Sequence, residues 1–176
     1  MRPPLLALGD ETHFADYQKQ FDDLLPSGFI DVLGNRVVFN RDRCAHICYK
    51  PENKRWNTGP RDQWEQDRAE RIPWIPAALQ APKYIRATTE NGKMWAYMLE
   101  VPADTQSDLK PELYAAIVDA GQVDPDRTGA VWFVTAYTIT NAEWQEWKRN
   151  RPWIYPSPAP PKKMSKRRGK KRSGQG

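Results

Sequence analysis

The chain has 176 residues, 39 % of them apolar and including eight Trp, seven Tyr and five Phe, enough for one aromatic-rich core of ordinary domain size. Two cysteines exclude a disulfide framework, and no run approaches the roughly 18 apolar residues of a membrane-spanning helix. The net charge of +5 conceals an asymmetry: residues 162–172 hold eight Lys and Arg and no acid, so the remainder is mildly acidic at −3.

Residues 1–10 read as an irregular lead, too short and Pro-rich for the apolar core of a signal peptide, which points to a soluble product made in the cytoplasm. From Thr12 to Leu25, Phe14, Tyr17, Phe21, Leu24 and Leu25 recur at helical spacing, predicting an amphipathic helix that ends before Pro26-Ser27-Gly28. Phe29–Leu33 and Arg36–Asn40 flank Gly34-Asn35 as a hairpin, with Val32 opposite Val37 and Ile30 opposite Phe39. Arg41–Lys50 reads as a helical turn carrying Cys44, His46, Ile47 and Cys48. The run Cys-Ala-His-Ile-Cys lacks the paired Cys-x2-Cys or His-x3-His spacing of common zinc sites. A metal would have to recruit His13 or distant carboxylates, so two unpaired thiols in a reducing compartment, with no metal and no cofactor, is the reading adopted.

Residues 51–60 are loop-like by composition, and a charged helix is expected from Arg61 to Arg71 with Pro60 near its first turn. Residues 72–76 break it, and Ala77–Gln80 form a short further turn. Lys83–Thr88 and Lys93–Val101 are strands joined at Asn91-Gly92, a strong hairpin signal. A two-residue turn there sets Glu90 against Lys93, Thr88 against Trp95 and Arg86 against Tyr97. One face then holds Ile85, Ala87, Met94, Ala96 and Met98 as core. The other holds Tyr84, Arg86, Thr88, Lys93, Trp95 and Tyr97, and with Lys83 beside it this face suits stacked bases and a phosphate backbone. It equally suits an aromatic face beneath the N-terminal helix with its cations reaching outward.

After a polar connector to Pro111, Leu113–Ala120 is a strand and Gly121–Gly129 a loop. Ala130–Ile139 is the most β-prone run of the chain, free of Pro, Gly and charge, and reads as a strand covered on both faces. Alternation puts Phe133, Thr135 and Tyr137 on one face and Trp132, Val134 and Ala136 on the other. The two hydroxyls are either satisfied core polars or site groups. Asn141 is the expected cap of a closing helix, Ala142–Arg149, whose Trp144 and Trp147 pack back on the sheet. A domain over 1–150 is thus followed by a tail over 151–176, Pro-rich and then basic, and expected to be disordered. Its cations, Lys166, Arg167 and Arg168 among them, form a general phosphate-binding arm, a solubilising tail or a targeting signal. The fold class expected is α+β, N-terminal helices packed on a twisted antiparallel sheet of about five strands.

Three segments carry a resemblance: Arg43-Cys44-Ala45-His46-Ile47, Leu79-Gln80-Ala81-Pro82-Lys83-Tyr84-Ile85 and Val131-Trp132-Phe133-Val134-Thr135-Ala136-Tyr137. In order and spacing, over roughly residues 28–140, the chain resembles the phage-associated members of the barnase/EndoU/colicin/RelE-like ribonuclease superfamily. The resemblance implies metal-independent RNA cleavage, in which the ribose 2′-hydroxyl attacks the adjacent phosphate and leaves a 2′,3′-cyclic phosphate. It makes His46 the base or acid, Arg86 and Lys93 phosphate clamps, Thr135 the hydroxyl of the last strand, and Tyr137 a group that orients phosphate or stacks on a base. It also implies RNA, tRNA included, as partner, a cognate inhibitor or immunity protein, and carriage by a phage particle or delivery into a target cell. The chain departs from the EndoU-like pattern of two histidines, because His13 lies outside the matched region. The other reading is a non-catalytic nucleic-acid-binding or virion-associated protein.

Overall fold

A computed structural model describes residues 2–40, 42–53, 58–89, 91–103, 111–121 and 129–155. The fold is α+β. Its backbone is an antiparallel meander of β4 (Tyr84–Ala87), β5 (Met94–Val101), β6 (Glu112–Asp119) and β7 (Ala130–Thr138). Two short strands extend it: β1 (Arg36–Val38) lies parallel to β7 at one edge, and β8 (Trp153–Tyr155) lies antiparallel to β4 at the other. The sheet is therefore six-stranded and mixed, where five antiparallel strands were expected.

Helices α1 (Phe14–Leu24), α2 (Arg43–Cys48), α3 (Gln66–Glu70) and α4 (Trp74–Gln80) precede the meander, and α5 (Asn141–Asn150) follows it. Tyr17, Phe21, Ile47, Ile75 and Leu79 from the early helices bury against Ile85, Trp95, Tyr97, Tyr114, Val118 and Phe133. On the opposite face Trp147 of α5 packs with Ala96, Met98, Ala115 and Ile117. Among the described residues no helix is long and apolar enough to cross a membrane.

Several expectations are corrected. Residues 58–64 form β3 (Thr58–Trp64), paired with β2 (Tyr49–Asn53) as a separate two-stranded ribbon, where a loop and the start of a helix were expected. The ribbon is anchored at its base, where Trp64 packs on Tyr17 and Tyr49 with ring centroids 5.5 and 5.3 Å apart. The helix expected over 61–71 shrinks to α3, and α4 runs through Pro76 because Trp74 and Pro76 occupy its first turn, where a missing N–H leaves no bond unmade. The loop of the first hairpin is longer than the two residues expected. The Asp31 carboxylate accepts from the amides of Leu33 (2.9 Å) and Asn35 (2.8 Å), and Gly34 sits at φ 84°. The chain therefore reverses so that Ile30 pairs Arg36, leaving Ile30 and Val32 exposed.

The β4–β5 hairpin has the larger consequence. Its register pairs Ile85 with Tyr97, Arg86 with Ala96 and Ala87 with Trp95, one residue away from the two-residue-turn expectation. Asn91 Oδ1 accepts from Thr89 Oγ1 (2.7 Å) and Lys93 N (3.2 Å), and Gly92 N donates to Thr89 O (3.1 Å), so the turn takes in an extra residue. A slip of one residue exchanges the two faces of a strand. Trp95 and Tyr97 consequently enter the core with Ile85, while Tyr84 and Arg86 turn towards α5. Helix α5 itself is capped by Thr140, in place of Asn141, in a capping box with Glu143.

Candidate functional site

Helix α2 buries Cys44, Ile47 and Cys48, so Arg43 and His46 are left on its other side. The two thiols share one helix face, with Sγ atoms 3.9 Å apart, and the bond between them followed by burial raises the Cys44 pKa, keeping it a thiol. Among the described residues no three His, Cys, Asp or Glu side chains come together as metal ligands.

The site is organised by an incomplete strand pairing. β1 covers only Ala130–Trp132 of β7, so among the described residues the outward carbonyls further along β7 have no strand partner. A bulge at Val134 sits at this point, since Phe133 pairs Val118 and Thr135 pairs Ile117, and it breaks the expected alternation: Phe133 and Ala136 share the helix-side core, while Val134 and Tyr137 pack against the α5-side cluster and Trp132 is exposed. Two guanidinium groups occupy the open edge. Arg43 Nη1 of α2 donates to Val134 O at 3.3 Å, and Arg68 Nη2 of α3 donates to Thr135 Oγ1 at 2.8 Å and Ala136 O at 3.1 Å. A third guanidinium, Arg61 of β3, donates to Tyr49 O at 3.1 Å and His46 O at 3.4 Å.

His46 is half-buried in this setting and its imidazole makes no hydrogen bond among the described residues. Burial, then the charges of Arg61, Arg43 and Arg68, lower its pKa from the ordinary 6.5 to about 4, so it is neutral at pH 7. The Arg61 guanidinium is depressed too, first by burial and then by Arg68 and Arg43. Glu65 meets part of this charge, accepting from Lys50 Nζ at 2.8 Å and Arg68 Nη1 at 3.2 Å. Burial opposes the Glu65 charge, but those two bonds prevail and hold its carboxyl below the usual range. Three crowded guanidiniums around a neutral imidazole favour an anion, which relieves their repulsion and accepts charge-assisted hydrogen bonds.

Beside Arg68 opens a cleft of about 460 Å³, walled by Glu65, Asp67, Arg71, Glu112 and Tyr137. The Tyr137 ring lies 5.9 Å from Arg68 Cζ. Its phenol pKa is pushed up to about 12, by burial and then Glu143, with Arg68 opposing.

Compared with protein-family models, curated proteins and solved structures, the chain matches none of them.

Of the residues singled out from sequence, His46, Thr135 and Tyr137 are gathered around Arg68. The hairpin residues are not. Arg86 is 1 % exposed beneath α5, donating through Nη2 to Lys148 O and Arg151 O and stacked 4.0 Å from the Trp153 ring centroid. Trp95 and Tyr97 are buried: Trp95 Nε1 donates to Gly92 O at 2.9 Å, and the Tyr97 hydroxyl donates to the Asp31 carboxylate. Tyr84 packs on Trp144 and Trp153, Lys83 pairs with Glu100, and Lys93 is exposed at the hairpin end. No joint stacking surface forms, because the register separates these side chains between the two faces of the sheet. His13 stands at the start of α1, 3.7 Å from Asp10. Lys166, Arg167 and Arg168 lie outside the described residues. Sequence reasoning missed Arg43, Arg61 and Arg68 as a group. Arg43 precedes His46 by three residues and shares its helix side, a readable signal, whereas the other two arrive only through tertiary packing.

Proposed function

We propose that the chain is a metal-independent endoribonuclease and that the Arg43–Arg61–Arg68 cluster holds the scissile phosphodiester beside His46. The observation that carries this reading is that guanidiniums from α2, β3 and α3 lie close enough to the half-buried His46 for their charges to lower its pKa. The ribose 2′-oxygen attacks the adjacent phosphorus as His46 takes the hydroxyl proton. The P–O5′ bond breaks, the 5′-oxygen leaves and is protonated from solvent, and a 2′,3′-cyclic phosphate remains. Negative charge that builds on the phosphoryl oxygens meets guanidinium groups already in place, the arrangement that lowers such a barrier most. A pKa near 4 makes His46 a weak base in the free protein. A bound phosphodiester neutralises the surrounding arginines and raises it towards the range in which general bases act best at neutral pH.

A specific observation favours a second reading, binding without cleavage: each of the three guanidiniums also donates to main-chain carbonyls, a role a fold needs with or without chemistry. Purified protein incubated with total RNA in excess EDTA separates the two. Cleavage to 2′,3′-cyclic ends, reduced about 100-fold or more by His46→Ala, supports the enzyme. Intact RNA with binding that weakens in Arg61→Ala supports the second reading and excludes the first.

A further inference from the structure

We infer that the cleft beside Arg68 is a nucleobase subsite that takes a base with an exocyclic amino group in preference to uracil. The inference rests on the phosphodiester reading of the neighbouring cluster. Arg68 belongs to both places, so a nucleotide whose phosphate meets Arg43, Arg61 and Arg68 extends its next group into the cleft. The charge changes across that boundary. In the cleft the three carboxylates of Glu65, Asp67 and Glu112 face the two guanidiniums of Arg68 and Arg71. A second phosphate is repelled there; a neutral heterocycle is not.

The walls supply what a base needs. Tyr137 offers a ring for stacking, and a volume of about 460 Å³ lies within the range of small-ligand sites. Two of the carboxylates are committed. Glu112 accepts from Arg71 Nε (3.0 Å) and Nη2 (2.8 Å) and pairs with Arg2, while Glu65 is held by Lys50 and Arg68. Asp67 is different: its side chain is 90 % exposed, and its one ion pair among the described residues, to Arg71 Nη1, is long at 3.9 Å. A carboxylate accepts hydrogen bonds only. The amino groups of adenine, guanine and cytosine donate to it, while the one donor on the uracil edge, N3–H, is flanked by two carbonyl oxygens that repel it.

The test is calorimetric titration of the full chain with inorganic phosphate and with the 3′-monophosphates of adenosine, guanosine, cytidine and uridine. The amino-bearing nucleotides are expected to bind roughly fivefold to tenfold more tightly than the uridine nucleotide. Asp67→Asn, an exposed change that leaves folding intact, is expected to remove that difference without altering phosphate affinity. Tyr137→Leu is expected to bring all four nucleotides to the affinity of inorganic phosphate, and Tyr137→Phe to retain wild-type binding. Four nucleotides binding no better than phosphate, or no response to Asp67→Asn, overturns the subsite while the phosphate cluster stands. If inorganic phosphate itself does not bind, the phosphodiester reading fails and the subsite with it.

Discussion

At the scale of single residues, two side chains chosen for the same chemistry have opposite fates. His46 stands near three arginines, and Arg86 is enclosed beneath α5 with its Nε and Nη1 atoms unbonded among the described residues. Each makes a separable prediction. The folded pKa of His46 is near 4 and the unfolded value about 6.5, so between them the unfolded chain binds the extra proton. Its contribution to stability is complete above pH 6.5 and is lost as pH falls towards 4. Urea unfolding across this range should show a shallower pH slope for His46→Gln than for the wild type; equal slopes would contradict the assignment. Arg86→Ala removes a buried stem and the donors to two carbonyls at the end of α5, and should lower stability by about 2–4 kcal/mol in chemical unfolding. Phosphate affinity of the folded variant should be unchanged. Residue type indicated that an arginine near aromatics mattered. Whether it served a ligand or the helix end depended on a register that residue type does not carry.

At the scale of elements, the legible parts were those with strong local periodicity. The helix of Phe14–Leu24, the β5, β6 and β7 strands and the closing helix all follow apolar patterns that local physics enforces. The boundaries and pairings were harder to read. Asn91-Gly92 signals a hairpin, but the Thr89–Asn91 hydrogen bond lengthens its turn, and that one residue sends Trp95 and Tyr97 to the core. β3 looked helical because Arg61, Asp62 and Gln63 are polar and charged; its strand form comes from pairing with β2 and from Trp64 docking on Tyr17. At the other end of the chain, the β7–α5 junction depends on a cap that sequence placed one residue late. Thr140 Oγ1 accepts from Glu143 N at 3.2 Å, and Glu143 returns a bond to Thr140 N at 2.9 Å. Thr140→Ala should therefore cost about 1 kcal/mol of stability, and Asn141→Ala much less, by thermal or urea unfolding.

For the whole molecule, the organising feature is the separation of charge. The body outside residues 162–172 is mildly acidic, yet three of its arginines, Arg43, Arg61 and Arg68, gather near the open edge of β7, beside a cleft with the opposite balance. The basic tail was legible from composition alone, whereas the arginine cluster was not, because Arg43, Arg61 and Arg68 belong to three elements brought together only by folding. The two should act differently. Deleting residues 162–176 removes eight cations that attract any phosphate backbone. The slope of log RNA affinity against log salt should then flatten by up to about 6, with the turnover rate on bound RNA retained. Loss of turnover at saturating RNA would instead place the tail in the reaction.

The most direct measurement is the proton titration of the His46 imidazole by NMR, with and without a dinucleotide whose attacking 2′-hydroxyl is replaced by hydrogen. In the free protein the midpoint should lie near pH 4, held down by burial and by Arg61, Arg43 and Arg68. With the dinucleotide bound, its phosphate offsets those charges and the midpoint should rise by one unit or more, with affinity strengthening as pH falls by the same linkage. A midpoint unmoved at saturating dinucleotide would show that the phosphate does not sit among these arginines, and the account of the site would be wrong.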